Sequence, residues 1–169
     1  MPAAASTPVA SLSDALDTRT WSHVERSIEK ALKWLAARQN RNGSFAGVGM
    51  GQPGVTSLAV LAYLSKGHVP GVGEHGKELD RAIEFVIGCQ RSDGLFTFLD
   101  PGPVHRHKHP SKTAMYNHAI ASLMLTKAYG MTDGETEQRI RMAVPKALEF
   151  TRRAQLKSKD YEQERGGWR

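Results

Sequence analysis

From Val24 onward, apolar residues recur with a helical period. Val24, Ile28, Ala31, Leu32 and Leu35 share one face, while Glu25, Arg26, Glu29, Lys30 and Lys33 occupy the other. The spacing predicts an amphipathic helix ending near Gln39, with Ser22 and Glu25 as a capping box at its start. Asn42-Gly43 signals a left-handed turn, and the Gly-rich stretch Gly47 to Gly54 leads into VTSLAVLAYL, which is apolar nearly all round from Leu58 to Leu64. A helix of that kind must be covered on most sides. After Gly67 and the turn-rich HVPGVGEHG, a second amphipathic helix is expected from about Lys77 to Gln90, with Leu79, Ala82, Ile83 and Val86 inward.

The alternation then repeats. A long connection, Arg91 to Thr113, carries three prolines and three histidines and precedes AMYNHAIASLMLTKAYG, a second nearly all-apolar helix that Gly130 stops. Thr132 and Glu135 form a second candidate capping box for a third amphipathic helix, with Ile140, Ala143, Val144, Ala147, Leu148 and Thr151 inward. Pro145 falls inside it and costs roughly 3 kcal/mol or more in a helix interior, so a kink or a fresh helix start is expected there. The expected fold class is all-α, with about five helices. The small, proline-punctuated opening reads as a flexible leader over residues 1–14, and residues 15–169 as one helical repeat domain.

The three amphipathic segments share more than a period. Ala31 to Gln39 reads ALKWLAARQ, Ala82 to Gln90 reads AIEFVIGCQ and Ala147 to Gln155 reads ALEFTRRAQ. Each has Ala, an aliphatic, a charge, an aromatic and, later, Gln. Each is followed by glycine and an aromatic: Gly43-Ser44-Phe45, Gly94-Leu95-Phe96 and, after ten intervening residues in place of three, Gly166-Gly167-Trp168. The copies are offset by 51 and 65 residues, which suits helical hairpins with variable loops. The apolar helices match as well, Leu64-Ser65-Lys66 with Leu125-Thr126-Lys127.

This pattern resembles the Gln-Trp type repeat of the terpenoid cyclase and protein prenyltransferase superfamily, the squalene-cyclase-like proteins, from Trp21 to Trp168. The resemblance implies an α/α toroid in which outer amphipathic and inner apolar helices alternate. It implies that Gln39, Gln90 and Gln155 cap neighbouring helix ends and that Phe45, Phe96 and Trp168 stack nearby. Family toroids contain about twice as many helices, so an incomplete toroid arc is expected. Its open edge would be covered by a missing carboxyl-terminal half, a second copy or another subunit.

Composition narrows the chemistry. In 169 residues, 40% are hydrophobic and 24% charged, the profile of an ordinary globular chain. No stretch approaches the roughly 18 apolar residues of a membrane span, and no secretory signal opens the chain, so a soluble, cytoplasmic protein is expected. The net charge of +6 gathers late: nine basic residues against four acidic lie between Arg139 and Arg169. Glu149, Asp160, Glu162 and Glu164 interrupt that run and no aromatic contact motif accompanies it, so it reads as a solvated face and not a nucleic-acid surface.

Catalytic sets are not evident. The resemblance would place an Asp-x-Asp-Asp acid in a cyclase, but Asp93 and Asp100 each stand alone and suit turns. An Asp-x-Cys zinc pair would need an acid where Ile87 stands, two before Cys89, and a Cys-Gly-Glu-Gln thioester would need another sequence than Cys89-Gln90-Arg91-Ser92. The single cysteine excludes an internal disulfide and reads as a small buried side chain. His105, His107 and His109 would share one side of an extended loop, but with Arg106 and Lys108 interleaved they read as a basic loop in preference to a metal site, and neither metal nor cofactor is expected. Only Tyr63, Tyr116 and Tyr129 supply aromatics to the apolar helices, too few for carbocation stabilisation.

Tyr116, Asn117 and His118, at the entry of the second apolar helix, are the candidate ligand-binding residues, set against a helix cap and a buried hydrogen-bonded histidine. The expected function is a non-catalytic binding or scaffold module, with an apolar small molecule as a further candidate partner. The alternative is the amino-terminal half of an isoprenoid-processing enzyme, a terpene cyclase or prenyltransferase, whose catalytic residues lie elsewhere.

Overall fold

In the computed structural model, the described residues are 17–100, 111–158, 162 and 166. They form five α-helices: α1 (Thr18–Ala36), α2 (Gly54–Ser65), α3 (Gly76–Gly88), α4 (Ser111–Ala128) and α5 (Gly134–Leu156). A 3-10 turn, Gly49–Gly51, precedes α2. Among the described residues the only β pairing is isolated bridges, so the fold is all-α. The expected leader over residues 1–14, the histidine loop at 105–109 and Trp168 lie outside the described residues.

The chain divides into two compact units, Met1–Trp34 and Leu35–Arg169. In the first, Asp17 caps α1: its Oδ1 accepts from the backbone N–H groups of Arg19 and Thr20, both at 3.0 Å. The expected Ser22–Glu25 box is therefore corrected. Ser22 lies a turn inside the helix and its hydroxyl donates to the Thr18 carbonyl at 2.8 Å, because the helix begins one turn earlier, at a better-placed carboxylate.

The second unit holds the remaining helices. α2 and α4 pack most extensively on each other, α3 lies against α2, and α5 lies against both α4 and α3. The core follows from these contacts: Val60 and Tyr63 of α2, Leu79, Ile83 and Val86 of α3, Met124 and Leu125 of α4, and Ile140 and Ala147 of α5 are all buried. Glu84 joins α3 to α5, accepting from Thr136 at 2.9 Å and pairing with Arg139.

At the start of α5, Asp133 occupies the cap position and Glu137, not Glu135, completes the local bonding. Its carboxylate accepts from the Thr132 hydroxyl at 2.9 Å and from the Gly130 N–H at 3.2 Å. α5 then runs through Pro145 without the fresh start considered from the sequence. Arg141 and Pro145 are both exposed, so water can meet the carbonyl that a proline nitrogen cannot serve.

Candidate functional site

The repeated turns after α1 and α3 share the same set of glutamine bonds. In the first, Gln39 Nε2 donates to the Gly43 carbonyl at 3.0 Å and to the Glu78 carbonyl at 2.8 Å. In the second, Gln90 Nε2 donates to the Gly94 carbonyl at 3.4 Å and to the Ala143 carbonyl at 2.8 Å. Glu78 and Ala143 are themselves equivalent under the 65-residue offset. Each glutamine thus ties the end of one amphipathic segment to the next amphipathic helix.

Glycine is required at the same point in both turns. Gly43 and Gly94 have φ of 89° and 97°, the left-handed region that a side chain disfavours. A Cβ on Gly43 would stand 2.1 Å from the Arg81 carbonyl oxygen, and one on Gly94 would stand 2.3 Å from that of Lys146, the equivalent residue. Asn42 and Asp93 shape the two turns alike, their Oδ1 atoms accepting from Ser44 N–H and Leu95 N–H, both at 3.1 Å. Asp93 therefore occupies the turn-forming position expected of it, and Asp100 pairs with Arg91 at 2.9 Å.

The aromatic that follows each glycine is buried, and its backbone N–H is taken by an apolar helix: Phe45 N–H by Thr56 Oγ1 at 3.0 Å, Phe96 N–H by His118 Nδ1 at 3.2 Å. Because that backbone group can only donate, His118 Nδ1 must accept and the neutral ring carries its proton on Nε2, which lies 3.0 Å from Thr151 Oγ1. Burial pulls the His118 pKa below the ordinary imidazole value, outweighing the Ala147 backbone bond and the Asp93 charge. His118 is in edge contact with Phe150, ring centres 4.9 Å apart.

Asn117 is buried beside it and reaches back across the chain. Its Nδ2 donates to the carbonyls of Met50 at 2.8 Å and Gln52 at 3.0 Å, clamping the turn that leads into α2. Tyr116 points elsewhere and is exposed. The three consecutive candidates are thus not brought together around one cavity: two are bonded into the helix packing and one faces outward.

An open groove of about 580 Å³ lies at the C-terminal end of α3, lined by Phe85, Cys89, Arg91, Thr97, Phe98 and Asp100. Phe85 and Phe98 meet at 5.8 Å between ring centres, and the Arg91–Asp100 pair supplies the polar rim. Burial pushes the Cys89 thiol up to about 12, so it stays protonated at neutral pH and serves as groove wall. The sequence pattern missed this groove because its walls come from the motif helix and from the turn beyond it. His68 and His75, which flank the turn between α2 and α3, were likewise missed; two histidines around a Gly-rich hairpin were the available signal.

Comparisons with protein-family models, with curated proteins and with solved structures found no match to this chain. Among the described residues, no helix is long and apolar enough to cross a membrane.

Proposed function

We propose that this chain is a non-catalytic binding or scaffold module, an incomplete α/α toroid arc of squalene-cyclase/prenyltransferase-like repeats, that docks an apolar helix against α5. The observation that carries the reading is a mismatch between equivalent positions: Ile83 on α3 is fully buried, whereas Leu148 on α5 is 57% exposed. Leu32, the equivalent on α1, is buried as well. An exposed residue at a repeat position that is elsewhere core is the mark of a surface built to be covered. The cover has the chemistry of α2 and α4, a helix apolar on most sides, contributed by a carboxyl-terminal half, a second copy or another subunit.

The polar residues of the repeat support a structural assignment, since Gln39, Gln90, Asn117 and His118 all spend their hydrogen bonds on the backbone or on neighbouring helices. The groove beside Cys89 is the place for an apolar small molecule. Light scattering of the chain and of Leu148→Lys tests the docking face. Association of the parent chain, abolished by the lysine, is the expected result; a monomer at every concentration that also binds no added apolar helix sinks the proposal. A cyclised or transferred product on incubation with squalene or a prenyl diphosphate would overturn the non-catalytic part and favour the isoprenoid-enzyme reading.

A further inference from the structure

We propose that the joint between the turn after α3, α4 and α5 is a latch that acid opens, with protonation of the His118 ring as the trigger. The chain builds this joint twice, from different groups. In the first copy the Phe45 N–H is taken by Thr56 Oγ1 at 3.0 Å; that hydroxyl donates to Gln52 Oε1 at 2.7 Å, and Gln52 Nε2 returns to the Phe45 carbonyl at 2.8 Å. Hydroxyl, amide and backbone groups do not change charge in the physiological range. In the second copy the acceptor for the motif aromatic is an imidazole, the one side chain whose ordinary pKa lies in that range.

Hydrogen bonds on both sides of the ring fix its protonation. The Phe96 N–H can only donate, so Nδ1, 3.2 Å away, is the acceptor. Thr151 Oγ1 gives its own proton to the Ala147 carbonyl at 3.0 Å, so towards Nε2, also at 3.0 Å, it accepts, and Nε2 holds the ring proton. Both nitrogens are committed. A second proton has to go on Nδ1, where it points at the Phe96 N–H and sets two donors face to face with no acceptor between them. His118 is 1% exposed and Phe96 is fully buried. With no open water beside the pair to take up either donor, the ring and the Phe96 N–H must part.

Among the described residues no acid bonds the ring, since Phe96 and Thr151 occupy both nitrogens. On the turn after α3, the Asp93 charge favours the imidazolium through space, but its Oδ1 accepts from the Leu95 N–H and its carbonyl from Arg153 Nη2 at 2.6 Å, which brings a positive charge to the same turn. From α5 come the edge of the Phe150 ring, Thr151, and Glu149, which is paired with Arg152. α2, packed on α4, carries neither acid nor base, and its one titratable side chain, Tyr63, lies against His68 and His75. On α4 itself Tyr116 faces outward, and Lys112 and Lys127 stand six and nine residues along the helix. Burial outweighs Asp93 and lowers the His118 pKa, so the closed joint holds the neutral ring and the open joint takes the proton. Opening is therefore favoured as pH falls below the ordinary imidazole value of about 6.5.

The test is 15N–1H spectroscopy of the full chain, taken from about pH 8 down to about pH 5. The bond itself supplies the readout, because a scalar coupling joins Phe96 N to His118 Nδ1 only while the N–H···N bond exists. The expected result is that this coupling is present at the upper end and lost as His118 titrates, that the Phe96 and Thr151 amide resonances move along the same curve, and that those of Phe45 and Thr56 stay where they are. His118→Asn, whose Oδ1 stands in for Nδ1 as an acceptor that does not titrate, should leave the Phe96 amide insensitive to pH. Should that variant fail to fold, the coupling in the parent chain decides. A coupling that survives protonation of His118, a ring that stays neutral throughout, equal movement of Phe45 and Phe96, or collapse of the whole amide spectrum in step with the titration would each overturn the proposal.

Discussion

α3 and α5 carry the same motif and meet different fates. On α3, Leu79, Ile83 and Val86 are buried to 1% or less, enclosed by the helices and the turn around them. On α5 the equivalent positions are Val144, Leu148 and Thr151, of which Leu148 is well exposed and the other two half-buried. The glutamine amide makes equivalent bonds to backbone carbonyls in the first two copies, and the glycine makes equivalent close approaches, so the motif sets how one hairpin joins the next. It does not set whether the apolar face beyond the join is covered. That depends on whether an apolar helix lies against it.

The largest expected effect breaks the join itself. Gly43→Ala and Gly94→Ala each force a methyl into a backbone carbonyl at a left-handed position, and each should destabilise the chain by about 3 kcal/mol or more in denaturant unfolding. A mild effect at one and a severe effect at the other would show that the two turns are not equivalent in energy as they are in geometry. Next comes the contrast between faces. Ile83→Ala should cost about 2–5 kcal/mol, while Leu148→Ala, measured on the dilute chain, should stay within about 0.5 kcal/mol. Equal costs would mean that Leu148 is covered in solution, and a cost at Leu148 that grows with protein concentration would point to a second copy as the cover.

The tether should give a smaller change. Gln90→Ala removes bonds to the Gly94 and Ala143 carbonyls and should cost about 1–2 kcal/mol; Gln39→Ala, which also loses the Arg81 guanidinium at 2.6 Å, should cost at least as much. The smallest effect is on pH dependence. Because the folded His118 pKa lies below the ordinary 6.5, the unfolded chain takes up the proton first as pH falls. Its contribution is therefore complete above about pH 6.5 and is lost on descent through that value towards the folded pKa, where it levels off. Chemical denaturation between pH 5 and 8 should show this slope in the parent chain and a flatter one in His118→Gln. An unchanged slope would mean that His118 is not the group responsible.

The two cores of the motif also show where sequence reasoning reaches. Gln39 and Gln90 lie just past the ends of their helices and Gln155 lies at the end of α5, as the repeat predicted. The exchange of Ser22 for Asp17 as the cap of α1 shows a limit of a different kind. Several polar residues near a helix start can cap it, and the choice rests on where the first turn closes, which periodicity locates only within a few residues. Of the three residues singled out on α4, His118 lies buried and hydrogen-bonded, whereas Asn117 lies inside α4 and clamps the turn before α2 in place of capping its own helix.

Helix number, their alternation between charged-faced and apolar, and the glycine and glutamine at each join were readable from the chain alone, because each depends on a period or on residues fewer than ten apart. Which partners those residues found was decided by packing. Asn117 bonds carbonyls 65 and 67 residues earlier, and Gln90 bonds one 53 residues later. The His68–His75 contact exists because a tight turn returns the chain from α2 to α3, and the groove at Cys89 because Phe98 folds back onto Phe85. Such pairings are absent from any local pattern: hydrogen bonds and buried surface between distant segments form only when helices dock, and their register is settled by shape across the whole unit.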